Sequence, residues 1–228
     1  MNKSLFSINW ILLIQICTFI TCVTVLNSCD NNNEKTKKNS VSIKTDENVD
    51  EINKLRPIFI GKDDAPVEIK IYSSLTCPHC ANFHINVLPL IEEKYVKTGK
   101  VKIVFIDFPL DLAALNASKI LHCVKKNKQI STMDLIYEKQ NQWSVSSDID
   151  EVNKKLKEII TTSGINSDQI DECFVDENIE NQVLNARIEG HKKYSISSTP
   201  TIIINEKKYE GSNNFENIEK AIEKIFNL

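Results

Sequence analysis

Apolar residues change period along the 228-residue chain, and each change marks a different kind of element. From Trp10 to Leu26 the chain is almost continuously apolar, with Lys3 the lone cation ahead of it, and polarity takes over at Asp30-Asn31-Asn32-Asn33-Glu34. Residues 1–29 therefore read as a secretory signal or a membrane anchor and stand outside the folded part. Residues 30–55 are Asn, Lys, Ser, Thr, Asp and Glu without a period, which predicts a flexible linker with a reach on the order of 30 Å.

Folded structure is expected over 56–228. Pro57-Ile58-Phe59-Ile60-Gly61 and the alternating Val67 to Tyr72 read as two strands around a turn at Lys62-Asp63-Asp64-Ala65-Pro66. Phe83, Val87, Leu90, Ile91 and Tyr95 then recur at helical spacing, so a helix begins near Cys77 and ends around Thr98-Gly99, with Pro89 expected to kink it. Val101 to Phe108 is β-prone, and strand, helix and strand in that order predict a right-handed crossover with parallel strands. Between about 111 and 195 the period is helical, in segments near 111–127, 131–142, 148–163, 167–174 and 178–194, which reads as an inserted helical subdomain. Thr201 to Ile204, the turn at Asn205-Glu206-Lys207 and Lys208 to Glu210 predict a hairpin, and Phe215 to Phe226 a closing amphipathic helix.

Charge narrows the range of functions. With 28 Lys and Arg against 31 Asp and Glu, interspersed and netting -3, the chain has no basic stripe, which argues against nucleic-acid binding. The seven cysteines divide by region. Cys17, Cys22 and Cys29 belong to the export segment. Leu26-Asn27-Ser28-Cys29 resembles a bacterial lipoprotein signal, with Cys29 as lipidation candidate and Asn27 departing from the pattern. Cys77, Cys80, Cys123 and Cys173 remain, an even number suited to an oxidising compartment.

Cys77-Pro78-His79-Cys80 carries the chemistry. Two thiols separated by two residues at the first turn of a helix can form a bridge, and the helix start sets free N–H groups and partial positive charge beside the first sulfur. That favours thiolate at Cys77, the form that attacks or leaves in exchange. His79 lies where its N–H groups and any positive charge support that thiolate, and Pro78 where a helix start tolerates a missing N–H. Cys80 faces inward as the resolving thiol. A zinc knuckle would need a second ligand pair at short spacing; Cys123 and Cys173 are solitary, and His84, His122 and His191 stand alone, read as surface or capping residues. Neither a metal nor another cofactor is expected. In Ser197-Ser198-Thr199-Pro200-Thr201 a proline precedes a strand, where it is tolerated and can be cis, leaving the Thr199 backbone to point outward and pair with an extended substrate.

With that motif after a strand, a helical insertion, and Thr-Pro before a late hairpin, residues from about Pro57 to Leu228 resemble the DsbA-like thioredoxin-fold oxidoreductases of bacterial envelopes, those of rickettsial-type bacteria above all. The resemblance implies an α/β thioredoxin fold with a helical insertion and a thiol:disulfide oxidoreductase of the periplasm or cell envelope that introduces disulfides into exported proteins. Its partners would be reduced exported substrates and a membrane reoxidase, with membrane association through the N-terminal segment. It makes Cys77 the nucleophile, Cys80 the resolving thiol, His79 a thiolate stabiliser, Pro200 a cis proline and Thr199 the residue before it. Thr199 stands where strong oxidants of the family carry Val, which leaves isomerase or reductase activity open. The position six residues before the first cysteine, acidic in some members, is Ile71, and the nearest acid on that strand is Glu68. Cys123 and Cys173 are read as a structural bridge between two helices, with two independent buried thiols the alternative. A surface-attached binding protein that uses the fold only as a scaffold, and a metal carrier, remain as readings from other classes.

Overall fold

The computed structural model describes residues 57–227. The export segment, the linker and Cys29 lie outside them. A five-stranded sheet of order β1-β3-β2-β4-β5 is built from β1 (Ile58–Ile60), β2 (Val67–Ser73), β3 (Val101–Asp107), β4 (Thr201–Ile204) and β5 (Lys207–Lys208). β2 and β3 run parallel, with Ile69 opposite Ile103, while β1–β3, β2–β4 and β4–β5 are antiparallel. The central pair is parallel because a helical crossover joins it, as parallel neighbours require.

Alternation decides the two faces of the sheet. Val67, Ile69, Ile71, Val101 and Ile103 point to one side, buried against Phe83, Ile91 and Tyr95 of the crossover and Ile218 and Ile222 of the last helix, α9 (Phe215–Phe226). Fully burying each such side chain stabilises the fold by roughly 2 kcal/mol. The Tyr95 hydroxyl donates to Glu223 at 2.5 Å, pinning the crossover to α9. On the opposite face Tyr72, Phe108, Ile196 and Ile203 cluster.

The crossover is α1 (Pro78–Asn82), a π-helical turn over Phe83–Val87, α2 (Leu88–Ile91) and a second π-helical turn over Glu92–Val96. Pro89 falls in the first turn of α2, and the Leu88 N–H reaches back to the Phe83 carbonyl. The widened turn accommodates a residue that lacks an N–H and crowds the carbonyl four positions back. Its effect is a change of winding within a continuous helical path.

Between β3 and β4 run α3 (Leu112–Cys123), α4 (Lys126–Glu138), α5 (Gln140–Trp143), α6 (Ile149–Thr161), α7 (Ser167–Val175) and α8 (Glu177–Tyr194). Asp111, Asp148, Asn166 and Asp176 cap α3, α6, α7 and α8 through side-chain oxygens that accept backbone N–H groups. Their core includes Ile120, Ile136, Trp143, Leu156, Ile160 and Ile170, all essentially buried, and Cys77 and Cys80 pack against it. The site thus lies where the sheet domain meets the insertion. Cys123 and Cys173 form a disulfide with a Cα separation of 5.7 Å, joining the end of α3 to α7. Among the described residues no helix is long and apolar enough to cross a membrane.

Candidate active site

Cys77 is the N-cap of α1, and its N–H donates to the Ser74 carbonyl at 3.1 Å. A side chain of the insertion holds the loop that delivers it: Gln140 Nε2, buried, donates to the carbonyls of Leu75 at 2.8 Å and Cys77 at 3.1 Å. From the other side Thr76 donates to Asp111 at 2.7 Å, so the cap of α3 also braces the loop. With these contacts the helix start points its free N–H groups at one sulfur.

Both thiols are free, with Cys77 7% and Cys80 1% exposed. The Cys77 thiol is lowered to about 5: a hydrogen bond from Cys80 is the largest cause, burial opposes it, and the backbone N–H groups of Cys80 and His79 add to the lowering. The Cys80 thiol is pushed far up, because it donates to Cys77 and because burial penalises its charge. One sulfur is therefore held as thiolate at neutral pH and the other as thiol, the polarity that dithiol exchange needs.

Thr199–Pro200 is a cis peptide bond. The Thr199 carbonyl lies 3.4 Å from Cys77 Sγ and faces the sulfur. The Thr199 hydroxyl is buried without a hydrogen-bond partner among the described residues. Pro78 and His79 are exposed; it is the backbone N–H of His79, not a side-chain hydrogen bond, that supports Cys77.

Two histidines depart from the surface or capping reading. His84 is 8% exposed, pairs with Asp134 at 2.8 Å and packs against Tyr137 and Phe105. His122, with 5% of its side chain exposed, contacts Asp107 at 2.6 Å. A helix stripe that fills an interface buries whatever it carries, and each imidazole there finds a carboxylate. His191 is exposed and contacts the Ile196 carbonyl at 2.9 Å. Sequence gives no signal for Gln140 or Asp107, whose partners lie 63 and 15 residues away.

A family model for thioredoxin matches residues 53–224. The chain belongs to the thioredoxin family. Its build, a thioredoxin fold with a helical insertion, is shared with alpha-DsbA1 of Wolbachia pipientis at a TM-score of 0.68 and 28% identity, covering 75% of this chain and 92% of that one. A Rickettsia bellii relative, provisionally named a protein-disulfide oxidoreductase, is 28% identical over 82% of this chain and 70% of its own length. Disulfide bond formation protein D of Bacillus subtilis is 25% identical over 72% of this chain and 75% of its own length.

For this thioredoxin-family chain the lowered Cys77 value has a measurable pH signature. A thiol depressed in the folded state stabilises that state fully above its unfolded value of about 8.5, and the contribution is lost as pH falls through about 5. After a discount for solvent screening, the reduced protein should lose about 2 kcal/mol relative to the oxidised protein between pH 7 and pH 5. Chemical denaturation of both forms at the two pH values measures it, and equal losses would contradict the thiolate assignment.

Proposed function

We propose that Cys77 and Cys80 are the redox pair of a thiol:disulfide oxidoreductase that introduces disulfides into exported proteins. The stabilised Cys77 thiolate carries this reading. Because the stabilising donors favour the reduced form, they make the disulfide form a ready acceptor of electrons. A substrate thiolate attacks Cys77 Sγ, the Cys77–Cys80 bond breaks, and Cys80 leaves. A second substrate thiolate then attacks the substrate sulfur of the mixed disulfide, and Cys77 leaves as thiolate. The substrate is oxidised by two electrons and the enzyme becomes the dithiol. A membrane partner reoxidises it, and Thr199 and Pro200 shape the wall beside the attacked sulfur.

Residues 1–29 act as the export segment or anchor, Cys29 is its lipidation candidate, and residues 30–55 tether the domain in the cell envelope. A disulfide between Cys123 and Cys173 suits the same oxidising compartment.

Equilibration with glutathione buffers tests the direction of catalysis. An oxidant should have a reduction potential well above the roughly -270 mV of thioredoxin, toward the range of about -120 to -180 mV. A value at or below thioredoxin's would replace the oxidant reading by a reductase.

A further inference from the structure

Helix α8 ends at Tyr194, and Ser195, with a left-handed φ of 53°, redirects the chain toward the redox site. Ile196 is fully buried, Ser197 and Ser198 are exposed, and Thr199 then sets its carbonyl 3.4 Å from Cys77 Sγ. His191 Nδ1 donates to the Ile196 carbonyl at 2.9 Å and fastens this turn to the helix. The segment that follows β3 is tied to the same site. The Leu110 N–H donates to the Ser74 hydroxyl at 3.3 Å, and the Ser74 carbonyl accepts from the Cys77 N–H.

These two segments and α8 enclose a groove of about 450 Å³. Phe108 and Ile196 are its buried apolar lining, while Leu110 and Ile188 are 45% and 46% exposed there. Arg187 and Lys192 also line it, both exposed, and the Arg187 guanidinium lies 5.5 Å over the Phe108 ring. Helical spacing sorts the charges of α8. Arg187, Ile188, His191 and Lys192 face this groove, whereas Ala186, Glu189 and Lys193 line a separate cavity against the sheet. No acid lines the groove among the described residues. Among the same residues neither Arg187 nor Lys192 takes part in an ion pair, while Lys193 is held by Glu206. Asp111, next to Leu110, is engaged by the Thr76 hydroxyl and the Ala114 N–H. The negative end of the helix dipole accounts for His191, Lys192 and Lys193 in the last turn of α8. It accounts neither for Arg187, two turns earlier, nor for two large aliphatic side chains half exposed beside it.

We propose that this groove binds the stretch of a reduced substrate next to its reactive cysteine and selects substrates that carry an acidic residue beside an apolar one there. The inference rests on the reading of Cys77 and Cys80 as the redox pair and adds a substrate class to it. Ser197 lines the groove two residues from Thr199, whose carbonyl touches the attacked sulfur. An extended chain advances about 3.3 Å per residue, so the selected pair stands roughly three to five positions from the substrate cysteine. Its apolar side chain covers Leu110 and Ile188, and its carboxylate meets Arg187 and Lys192. A guanidinium already seated on an aromatic ring loses little freedom when it pairs with a carboxylate. Arg187 and Lys192 are specificity residues and take no part in the exchange of sulfurs.

Reduced dithiol peptides that differ only at those positions, bearing Asp-Leu, Asn-Leu or Lys-Leu, test the groove against the oxidised full-length protein. Rates are compared per substrate thiolate, because a nearby carboxylate raises the pKa of a thiol. At low ionic strength the Asp peptide should react about tenfold faster than the Lys peptide, as expected for two exposed charge pairs. The difference should shrink toward nothing in about 1 M salt. Combining Arg187→Glu with Lys192→Glu should invert the order of the peptides. If that protein does not fold, Arg187→Gln with Lys192→Gln decides in its place and should erase the preference. Equal rates for all the peptides, or an order that both pairs of substitutions leave intact, would overturn the proposal. Wild-type protein that captures phosphatidylglycerol vesicles through the same two cations, without a peptide preference, would assign them to a membrane surface and also overturn it. A wild-type protein that oxidises none of the peptides would instead overturn the redox reading beneath.

Discussion

A Cys77→Ser protein should oxidise a reduced dithiol peptide no faster than the uncatalysed background, while remaining folded. Serine preserves the shape of the N-cap and the backbone bonds to Ser74 and Gln140. What it removes is the only sulfur that the N–H groups of His79 and Cys80 stabilise, and with it the thiolate lowered to about 5. Relative to the reduced wild type at neutral pH, the lost thiolate stabilisation is worth about 2 kcal/mol. Cys80→Ser should behave differently. Its Cys77 still attacks an oxidised peptide, but no second sulfur resolves the product, so one peptide per protein should accumulate as a mixed disulfide visible by mass. Wild-type exchange by Cys77→Ser would return the chain to the scaffold reading, in which the fold presents a surface and the cysteines are incidental.

That experiment bears on a motif legible in the sequence because its chemistry is local. Cys77 and Cys80 need only a helix start, and the strand before them shows the alternation of a half-covered face, Val67, Ile69 and Ile71 buried in turn. The parallel β2–β3 pair, the β4–β5 hairpin and α9 have the same local origin.

Features fixed by packing were not legible. The expected segment over 111–127 runs through a break at Val124 and Lys125, where the backbone is extended although neither Gly nor Pro occurs. Val124 is buried, and Gln129 donates to the Leu121 carbonyl, so tertiary contacts end α3 and let α4 start without a side-chain cap. Lys119 is a sharper case: a cation 2% exposed in mid-helix, acceptable only because Glu180 of α8 lies 2.6 Å away. The Asp107–His122 pair belongs to the same class, since a strand end and a helix face meet only once the insertion has docked. Reading His122 as a lone surface residue assigns it the wrong environment for this reason.

Replacing both Cys123 and Cys173 by alanine should produce the largest loss of stability of any change outside the redox site. The two residues are separated by 50 positions, and releasing a loop of that length returns entropy to the unfolded chain worth about 4 kcal/mol. For a domain of this size the melting temperature should fall by roughly 10 °C. The bridge fastens the end of α3 to α7, where Gln169 also donates to the Cys123 carbonyl at 3.2 Å, and that hydrogen bond survives the substitution. Cys77 and Cys80 are attached instead through Ser74, Gln140 and Thr76, so exchange measured well below the new melting temperature should persist. Denaturant melts of the double variant measure the change, and a loss under about 1 kcal/mol would mean that the helices hold one another without the bridge. A full loss of stability with exchange retained would separate the two disulfide-forming pairs by task, Cys123 and Cys173 restraining the chain and Cys77 and Cys80 passing electrons.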